Sequence, residues 1–483
     1  MKDLLKKIDT RFFGIIVFNF GLILAELLYL LLRFQYLNAQ IPLWMGMPWG
    51  TQQLAPKAHI FIIPVVATLV VSVGLYFTFN AINKFQRYGD SAIIAAVSTT
   101  NLLLAYSVIR IIRVASKIHE PLFDPRFNQI FTPALFSFVI VYFLAPKLIE
   151  IFKERGLVTD PQTHSHPGMI LKKPSARGGG MIFTIGVLLT AIFFVKPSPM
   201  IIGILVSAVF AAVLGYIDDV QNTKPISKFA WLENPVKRVF LQGLVVLPLI
   251  IGGVVMKTVN NPFSGQVFLD AWKLNLFGVE MAPIAIIITV VWVVWIINLL
   301  SWSNGVDGQY SGIIGIAGLM VAIMTLRLLH FYPAQKDMME LAAIVAGASL
   351  GLLPYSWHPS QIMWGFGAIS AGIILAALSV GSQAKIATSI IVLTVPFLDG
   401  AITITRRMLS GKSPLKGDKG HLHHLLLERG WSVKKVAVFY WVTTALFGIA
   451  GIYASDRDPI LTALTGIGVV AFVIITLNFN YRE

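Results

Sequence analysis

The chain has 483 residues, of which 56% are hydrophobic and only 13% are charged, and its basic residues exceed its acidic ones to give a formal net charge of +15. A mean hydropathy of +0.76 and repeated apolar runs of about twenty residues are more than a soluble core needs, so a polytopic helical membrane protein is predicted. The net charge is attributed to membrane topology and to attraction for anionic lipid and phosphate, and no nucleic acid partner is expected. The absence of cysteine excludes disulfides, thiolate metal sites and cysteine nucleophiles.

Apolar runs of membrane-spanning length predict an all-α protein with about fourteen transmembrane helices. Their expected positions in chain order are 12–33, 58–80, 92–112, 131–151, 182–196, 200–217, 238–256, 281–300, 311–328, 339–355, 361–379, 385–401, 436–454 and 459–479. The polar stretch 113–130 separates a three-span amino-terminal extension, residues 1–125, from an eleven-span core, residues 126–483. The extension carries no concentrated cluster of acids or histidines, so it is interpreted as a packing or partner-binding module.

Basic residues set the expected orientation in the membrane. With the amino terminus inside, the predicted spans place most of the Lys and Arg on one side, which the positive-inside rule makes cytoplasmic. The polar loops on that side are 152–181, 218–237, 301–310, 356–360 and 402–435. A multi-pass protein of the plasma (inner) membrane with a cytoplasmic active site is therefore expected.

An adjacent acid pair, Asp218 and Asp219, ends an apolar run at the expected cytoplasmic mouth of a span. Two neighbouring carboxylates repel each other unless a cation or a base compensates them. Four basic residues follow: Lys224, Lys228, Lys237 and Arg238. An ordinary acidic helix end is the alternative, but acids at the edge of a membrane span are rare and usually functional, which favours a functional pair.

The segment NLLSWSNGVDGQYSG places Asn298 at the end of one span and Asp307 among glycines before the next. Glycines let the backbone turn sharply and present amides to an oxyanion, and a carboxylate there can hold a divalent cation that bridges phosphates. NGVDG alone is also a common turn. Its expected position on the same face as the acid pair favours the functional interpretation.

Residues 399–424, DGAITITRRMLSGKSPLKGDKGHLHH, form a polar stretch with two arginines and three histidines. The residues concerned are Arg406, Arg407, His421, His423 and His424. Without cysteine or an HExxH helix a zinc site is not expected. Imidazoles beside arginines are instead predicted to donate hydrogen bonds to phosphate oxygens, with an amphipathic loop on lipid headgroups as the alternative.

Taken in order, these segments resemble the polyprenyl-phosphate N-acetylhexosamine-1-phosphate transferases of glycosyl transferase family 4. The resemblance covers roughly 131–480 and rests on GLVTDP with a His/Pro/Gly-Gly loop, IDD, Asn followed by GVDG, VPFLD, and RR…GKSP…D-x-x-HLHH. The last motif is the most specific. The chain is similar to the branch that uses UDP-N-acetylglucosamine and undecaprenyl phosphate, more than to the phospho-MurNAc-pentapeptide transferases.

The resemblance implies a magnesium-dependent exchange, with manganese as an alternative ion, at the cytoplasmic face. The phosphate of a polyprenol would attack the sugar-linked phosphorus of a UDP-N-acetylhexosamine and release UMP, as the first step of a cell-wall or surface glycan. Asp218, Asp219 and Asp307 would be catalytic, and Asp219 and Asp307 would hold the metal. The implied substrate-binding residues are Asn298, Asn304, Lys224, Arg406, Arg407, His421, His423 and His424.

The chain departs from the family pattern at four positions. Phe366 stands where the family has a metal-binding Asp, and a phenylalanine cannot ligate magnesium. Ser356 stands where the family has an Asn that touches the nucleoside, and Ser301 and Asn304 replace an Asn and an Asp.

Three hypotheses stay open at this point. The first is an active transferase whose metal is held by Asp218, Asp219 and Asp307. The second is a protein that has lost catalysis and binds a polyprenyl lipid or a partner protein. The third is a transporter, which fits poorly because the acids lie at the ends of spans. The lipid bilayer is an expected partner in all three, and a homodimer is left open.

Overall fold

A computed structural model describes residues 10–44, 47, 50–81, 88–116, 125–161, 173–223, 227–260, 266–276, 279–382, 392–413 and 420–454. Over these residues the chain is helical with short strands, so the prediction of an all-α polytopic membrane protein is confirmed. The chain forms two compact units, Met1–Phe123 and Asp124–Glu483.

The described residues of the first unit form three long helices and one short β-hairpin. The helices are α1 (Thr10–Arg33), α2 (Ile62–Ala81) and α3 (Tyr88–Ala115), and the antiparallel strands are β1 (Gln40–Pro42) and β2 (Leu54–Pro56). Buried amides connect two of the helices: Asn101 Nδ2 donates to Asn19 Oδ1 at 3.1 Å, and Asn19 Nδ2 donates to Ser98 Oγ at 3.0 Å. Such interhelical hydrogen bonds satisfy polar groups that would otherwise be unpaired in a bilayer.

The second unit contains the remaining helices. They are α4 (Asn128–Glu154), α5 (Gly179–Phe194), α6 (Pro199–Thr223), α7 (Pro235–Val245), α8 (Leu247–Ile251), α9 (Pro283–Trp302), α10 (Gln309–Leu328), α11 (Lys336–Ser356), α12 (Ala368–Gly381), α13 (Thr394–Leu409), α14 (Leu422–Glu428) and α15 (Val433–Ala454). Among the candidate membrane spans of the described residues, α11 is the most buried, and it packs between α4 and α10. At Gly347 a side chain would overlap the carbonyl of Ala134, so glycine permits α11 to approach α4 closely.

The predicted count of fourteen spans is not confirmed. In the described part of the chain, nine helices are long and apolar enough to cross a membrane, and two shorter apolar helices accompany them. A single helix over 238–256 was wrong: that region contains α7 and α8, with Val246 between them and Pro248 in the first turn of α8. Proline lacks the N–H that would continue the preceding helix but fits the first turn of a new one. The span expected at 459–479 lies outside the described residues.

A small sheet in the second unit brings distant parts of the sequence together. Its strands are β3 (Val158–Thr159), β4 (Ser175–Arg177) and β9 (Ile362–Met363), in the order β3-β4-β9. Strands β4 and β9 run parallel, with Ala176 opposite Ile362 and Arg177 opposite Met363. Two further hairpins pair β5 (Thr258–Asn260) with β6 (Gln266–Phe268), and β7 (Leu274–Leu276) with β8 (Val279–Met281). The parallel pairing places the segment after α11 beside the start of α5.

Candidate active site

The acid pair lies at the polar end of α6, where an otherwise apolar helix carries two carboxylates into a buried environment. Asp218 is 2% exposed and Asp219 is 1% exposed. Asp218 Oδ1 forms an ion pair with Arg238 Nη2 at 2.9 Å, and its Oδ2 accepts a hydrogen bond from Asn222 Nδ2 at 2.6 Å. Buried carboxylates are stable only when paired and hydrogen-bonded, and Asp218 is paired through Oδ1 and hydrogen-bonded through Oδ2.

The second acid is held by a different arginine and by the main chain. Asp219 Oδ1 accepts from Arg177 Nη1 at 3.3 Å and from the backbone N–H of Phe366 at 3.1 Å. Asp219 Oδ2 is buried and has no hydrogen-bond partner among the described residues. It faces Gly365, whose φ of +63° and close approach to the carboxylate both require glycine.

Each acid therefore has its own guanidinium group. Arg177 Nε donates to Thr159 Oγ1 at 2.5 Å, which anchors that arginine on the sheet. Arg238 Nε donates to the carbonyl of Leu232 at 2.5 Å, and its guanidinium carbon lies 5.3 Å from the centroid of the Phe366 ring. A guanidinium over an aromatic face makes a favourable cation–π contact. From the sequence, Arg177 was expected only within the polar loop 152–181, and Arg238 was one of the basic residues that follow the acid pair.

Asp307 lies in the loop between α9 and α10 and forms a pair of its own. Its Oδ2 is 2.7 Å from His358 Nδ1 and accepts a weaker hydrogen bond from the backbone N–H of Ser360 at 3.3 Å. The side chains of Asp307 and His358 are 17% and 27% exposed, so this pair is accessible to a ligand. His358 was missed by the sequence analysis, because one histidine in a polar loop carries no spacing signal.

Two other residues of the same region have partners within the protein. Asn298 Nδ2 donates to Gln242 Oε1 at 2.6 Å and to the carbonyl of Val294 at 2.7 Å, so its amide joins α9 to α7. Ser356, at the position where the family has Asn, is buried with its hydroxyl 2.7 Å from that of Ser311. Asn304 is half-buried in the loop itself.

One segment, Trp357–Gly367, connects the acid pair to the Asp307 loop. Its first part contacts Asp307 through His358 and Ser360, its strand pairs with β4 beside Arg177, and its end contacts Asp219. Gly180 allows this approach, because a side chain there would overlap the carbonyl of Gly367. The same segment thus contacts both Asp219 and Asp307.

Asp399 anchors the first histidine of the HLHH motif. Its Oδ2 is 3.1 Å from His421 Nδ1, and its Oδ1 accepts from the backbone N–H of Leu422 at 2.7 Å. Arg407 Nη2 lies 3.4 Å from His421 Nε2, and because a guanidinium only donates, Nε2 accepts and Nδ1 carries the proton given to Asp399. Asp399, Arg407 and His421 are all buried, so they form an internal support.

The other two histidines differ in exposure. His423 is buried with its ring against Gly305 in the Asp307 loop, whereas His424 is half-buried with its ring centroid 4.2 Å from that of His423. Burial, with smaller contributions from His424 and His421, holds the pKa of His423 well below its usual value. His423 is therefore neutral at neutral pH.

Arg406 completes this side of the site. It is half-buried, and its Nη1 donates to the carbonyl of Gly420 at 3.3 Å. The structure thus brings the Arg–His motif to the Asp307 loop through His423, while Arg406 and His424 are half-buried. This motif comprises Arg406, Arg407, His421, His423 and His424. Lys224 lies outside the described residues.

The assembled groups suit phosphate chemistry. Guanidinium and imidazole groups bind phosphate oxygens, and the open oxygen of Asp219 can accept a proton. Among the described residues no cluster of three or more His, Asp or Glu side chains is arranged to hold a metal ion.

Part of this chain is similar to known proteins. A family model described as glycosyl transferase family 4 matches residues 201–383. Decaprenyl-phosphate N-acetylglucosaminephosphotransferase of Mycolicibacterium smegmatis is 27% identical over 378 residues, which cover 70% of this chain and 86% of the relative. A probable undecaprenyl-phosphate N-acetylglucosaminyl 1-phosphate transferase of Bacillus subtilis is 26% identical over 338 residues, covering 68% and 86%.

A member of a second branch also matches. Phospho-N-acetylmuramoyl-pentapeptide-transferase of Moorella thermoacetica is 23% identical over 329 residues, which cover 66% of this chain and 97% of the relative. The resemblance indicated by the motifs is therefore confirmed: over residues 201–383, which carry the acid pair, Asp307 and the Trp357–Gly367 segment, this chain matches glycosyl transferase family 4.

Proposed function

We propose that this chain transfers an N-acetylhexosamine-1-phosphate from a UDP-sugar to polyprenyl phosphate and releases UMP. The reaction would take place at the cytoplasmic face of the plasma (inner) membrane and begin a cell-wall or surface glycan. The observation that carries the proposal is a pair of contacts: the Trp357–Gly367 segment contacts both Asp219 and Asp307, and Gly305 in the Asp307 loop lies against His423. The names of the relatives favour N-acetylglucosamine as the sugar.

The acid pair and its arginines are assigned to the lipid phosphate. An oxygen of that phosphate attacks the sugar-linked phosphorus, the bond from this phosphorus to the bridging oxygen of UMP breaks, and UMP leaves with that oxygen. Asp219 Oδ2, which no described group engages, would take the proton of the lipid phosphate. Asp218 has both oxygens engaged, so its role is to position Arg238 and Asn222.

The opposite part of the site is assigned to the nucleotide sugar. Arg406 and His424 are accessible and would contact the diphosphate, while the buried Arg407, His421 and His423 would hold them in position. Asp307 with His358, and Asn304 beside them, would line the nucleotide pocket. Asn298 would position the pocket through Gln242, and Lys224 retains the binding role implied by its motif.

The metal implied by the family does not fit this site in the expected way. The matched family depends on a divalent metal ion, and the motif match assigns that ion to Asp219 and Asp307. Here Phe366 offers no oxygen, each acid of the pair faces a guanidinium, and Asp307 is engaged by His358. A divalent cation prefers several free oxygens and is repelled by neighbouring positive charge, so no catalytic step is assigned to it.

The same observation favours a second candidate, binding of polyprenyl phosphate without transfer. A site that has exchanged its metal ligand for phenylalanine retains groups that bind phosphate but lacks one that the family uses. A transporter is not proposed, because the acids at the end of α6 are held in ion pairs. The homodimer gains no support from the relatives or from the described part of the chain.

A reconstituted transfer assay separates the two candidates. Purified protein would be mixed with undecaprenyl phosphate and UDP-GlcNAc labelled in the sugar, with either EDTA or magnesium, and lipid-linked sugar and UMP would be measured. We expect lipid-linked sugar and UMP to form in equal amounts. Retention of the lipid phosphate without either product would establish the binding function instead. A parallel reaction with UDP-MurNAc-pentapeptide tests the other branch of the family.

A further inference from the structure

The geometry points to a built-in replacement for the metal: we propose that Arg177 and Arg238 supply the positive charge at the acid pair and form the anion site for the phosphate of the lipid substrate. The identity of that phosphate rests on the proposed function, whereas the replacement of the cation rests on the residues of the site alone.

The first step is the charge of the cluster. Two carboxylates face two guanidinium groups, and the guanidinium groups are charged at all physiological pH values. The formal charges of the four side chains therefore sum to zero. Two of the four carboxylate oxygens accept hydrogen bonds from nitrogen, a third is in the ion pair with Arg238, and the fourth lies against Gly365. A divalent cation at this position would have one free carboxylate oxygen as a ligand and two positive groups beside it. These contacts would not compensate for the water ligands that the cation loses.

The second step is the role of Phe366. Its side chain stands at the acid pair, where the family has a metal ligand, and its ring supports the guanidinium of Arg238 at 5.3 Å. That guanidinium is fixed by two further contacts, the ion pair with Asp218 and the hydrogen bond to Leu232. Phe366 therefore holds in place the guanidinium group of Arg238, which makes a metal ion unnecessary.

The two arginines are more accessible to a ligand than the two acids. The side chains of Asp219 and Asp218 are 1% and 3% exposed, whereas those of Arg177 and Arg238 are 19% and 27% exposed. An incoming phosphate therefore meets guanidinium groups rather than carboxylates. Each guanidinium presents several N–H donors, and a planar fork of donors matches two phosphate oxygens.

Manganese binding, followed by electron paramagnetic resonance without nucleotide, tests the replacement directly. Nucleotide is omitted because a diphosphate binds manganese itself. Wild-type protein and the Phe366→Leu variant should show no saturable site. The double variant Phe366→Asp with Arg238→Gln adds a carboxylate and removes a positive charge, so it should gain a site with affinity about tenfold or more above background. Saturable binding of one manganese ion by the wild type overturns the proposal, whatever the double variant does.

Retention of labelled undecaprenyl phosphate in EDTA tests the anion site. Arg177→Gln and Arg238→Gln should each weaken retention by about tenfold or more, because each removes a charged donor from phosphate. Arg110→Gln, which removes an exposed arginine of the first unit, is the matched control and should bind like the wild type. Unchanged retention in both site variants would overturn the anion site.

The two proposals fail in different ways. If retention in EDTA depends on Arg177 and Arg238 but no sugar is transferred under any condition, the proposed transfer is wrong and the arginine site stands. If sugar is transferred only when a divalent ion occupies the acid pair, the transferase stands and the arginine replacement is wrong.

Discussion

The backbone N–H of Phe366 donates a hydrogen bond to Asp219 Oδ1 at 3.1 Å. The residue at the family's metal-ligand position is thus still placed against the acid pair, but through its main chain. Its side chain contacts Arg238 instead. The backbone framework of the site is therefore compatible with the family pattern, while the charge in that framework comes from this chain's own arginines.

Replacement of Asp219 by Asn tests the assigned proton acceptor. The change keeps the size of the side chain and its contact with Phe366 but removes the charge and the basic oxygen. Turnover should fall by about a hundredfold or more, measured as lipid-linked sugar formed per minute. Glu428→Gln, which neutralises an exposed acid, is the control and should leave turnover unchanged. Normal product formation by Asp219→Asn would remove this acid from the mechanism.

Gly305→Ala tests the contact between the Asp307 loop and the histidine motif. A side chain at Gly305 would overlap the ring of His423, so either the loop or the histidine must move. We expect a loss of about 1–3 kcal/mol in the free energy of unfolding, as for other overpacked sites, together with reduced transfer.

The control for this substitution is Gly243→Ala, where the new methyl group meets no atom within 4 Å. In the last turn of α7 that change should be neutral or slightly stabilising, because alanine favours helix. Thermal unfolding of the two variants in the same detergent gives the comparison. Equal stability of both would mean that His423 does not pack on the loop.

The membrane fold and the order of the site segments could be predicted from the sequence because both leave a local signal. An apolar run of spanning length is visible in any window, and Asp218 and Asp219 interrupt such a run. The histidines and Arg406 were also recognisable, since a polar stretch stands out in a chain of which only 13% is charged. Each of these features depends on neighbouring residues only.

The partners of the acids could not be predicted, because they come from distant segments. Arg177 lies on a strand that is too short to show a periodic pattern in the sequence. Its strand, β4, pairs with β9, which is distant from it in the core sequence. Arg238 was expected inside a continuous span, but the break at Val246 leaves it in the short helix α7, where it meets Asp218. Asp399 ends VPFLD and begins the polar stretch 399–424, but its contact with His421 could not be predicted because it depends on how α13 and α14 pack.

The stability of the protein should depend on pH through His423. Burial lowers the pKa of this histidine in the folded state, while the unfolded chain has the ordinary value of 6.5. Below that value the unfolded state binds more protons, so the free energy of unfolding falls as the pH falls, by at most about 1.4 kcal/mol per pH unit for one group. Above pH 6.5 the contribution of His423 to the free energy of unfolding is constant.

Thermal unfolding of the wild type and of His423→Gln between pH 7.5 and 5 isolates this term. The wild type should lose more stability on acidification than the variant, because glutamine cannot take up the proton. His330→Gln, which removes an exposed histidine, should behave like the wild type. Parallel curves for the wild type and His423→Gln would show that His423 titrates normally in the folded protein.

The membrane orientation can be tested with single cysteines, because the natural chain has none. Ser303 would be a poor labelling position, since it is only 1% exposed, whereas Ser413 and Glu233 are exposed. The predicted topology places both of these on the cytoplasmic side with the acid pair, and it places the exposed Gln266 outside. In intact cells a membrane-impermeant maleimide should therefore label Gln266→Cys but not Ser413→Cys or Glu233→Cys, and permeabilisation should expose all three. Labelling of Ser413→Cys from outside would separate the Arg–His motif from the acid pair across the membrane and contradict a shared site.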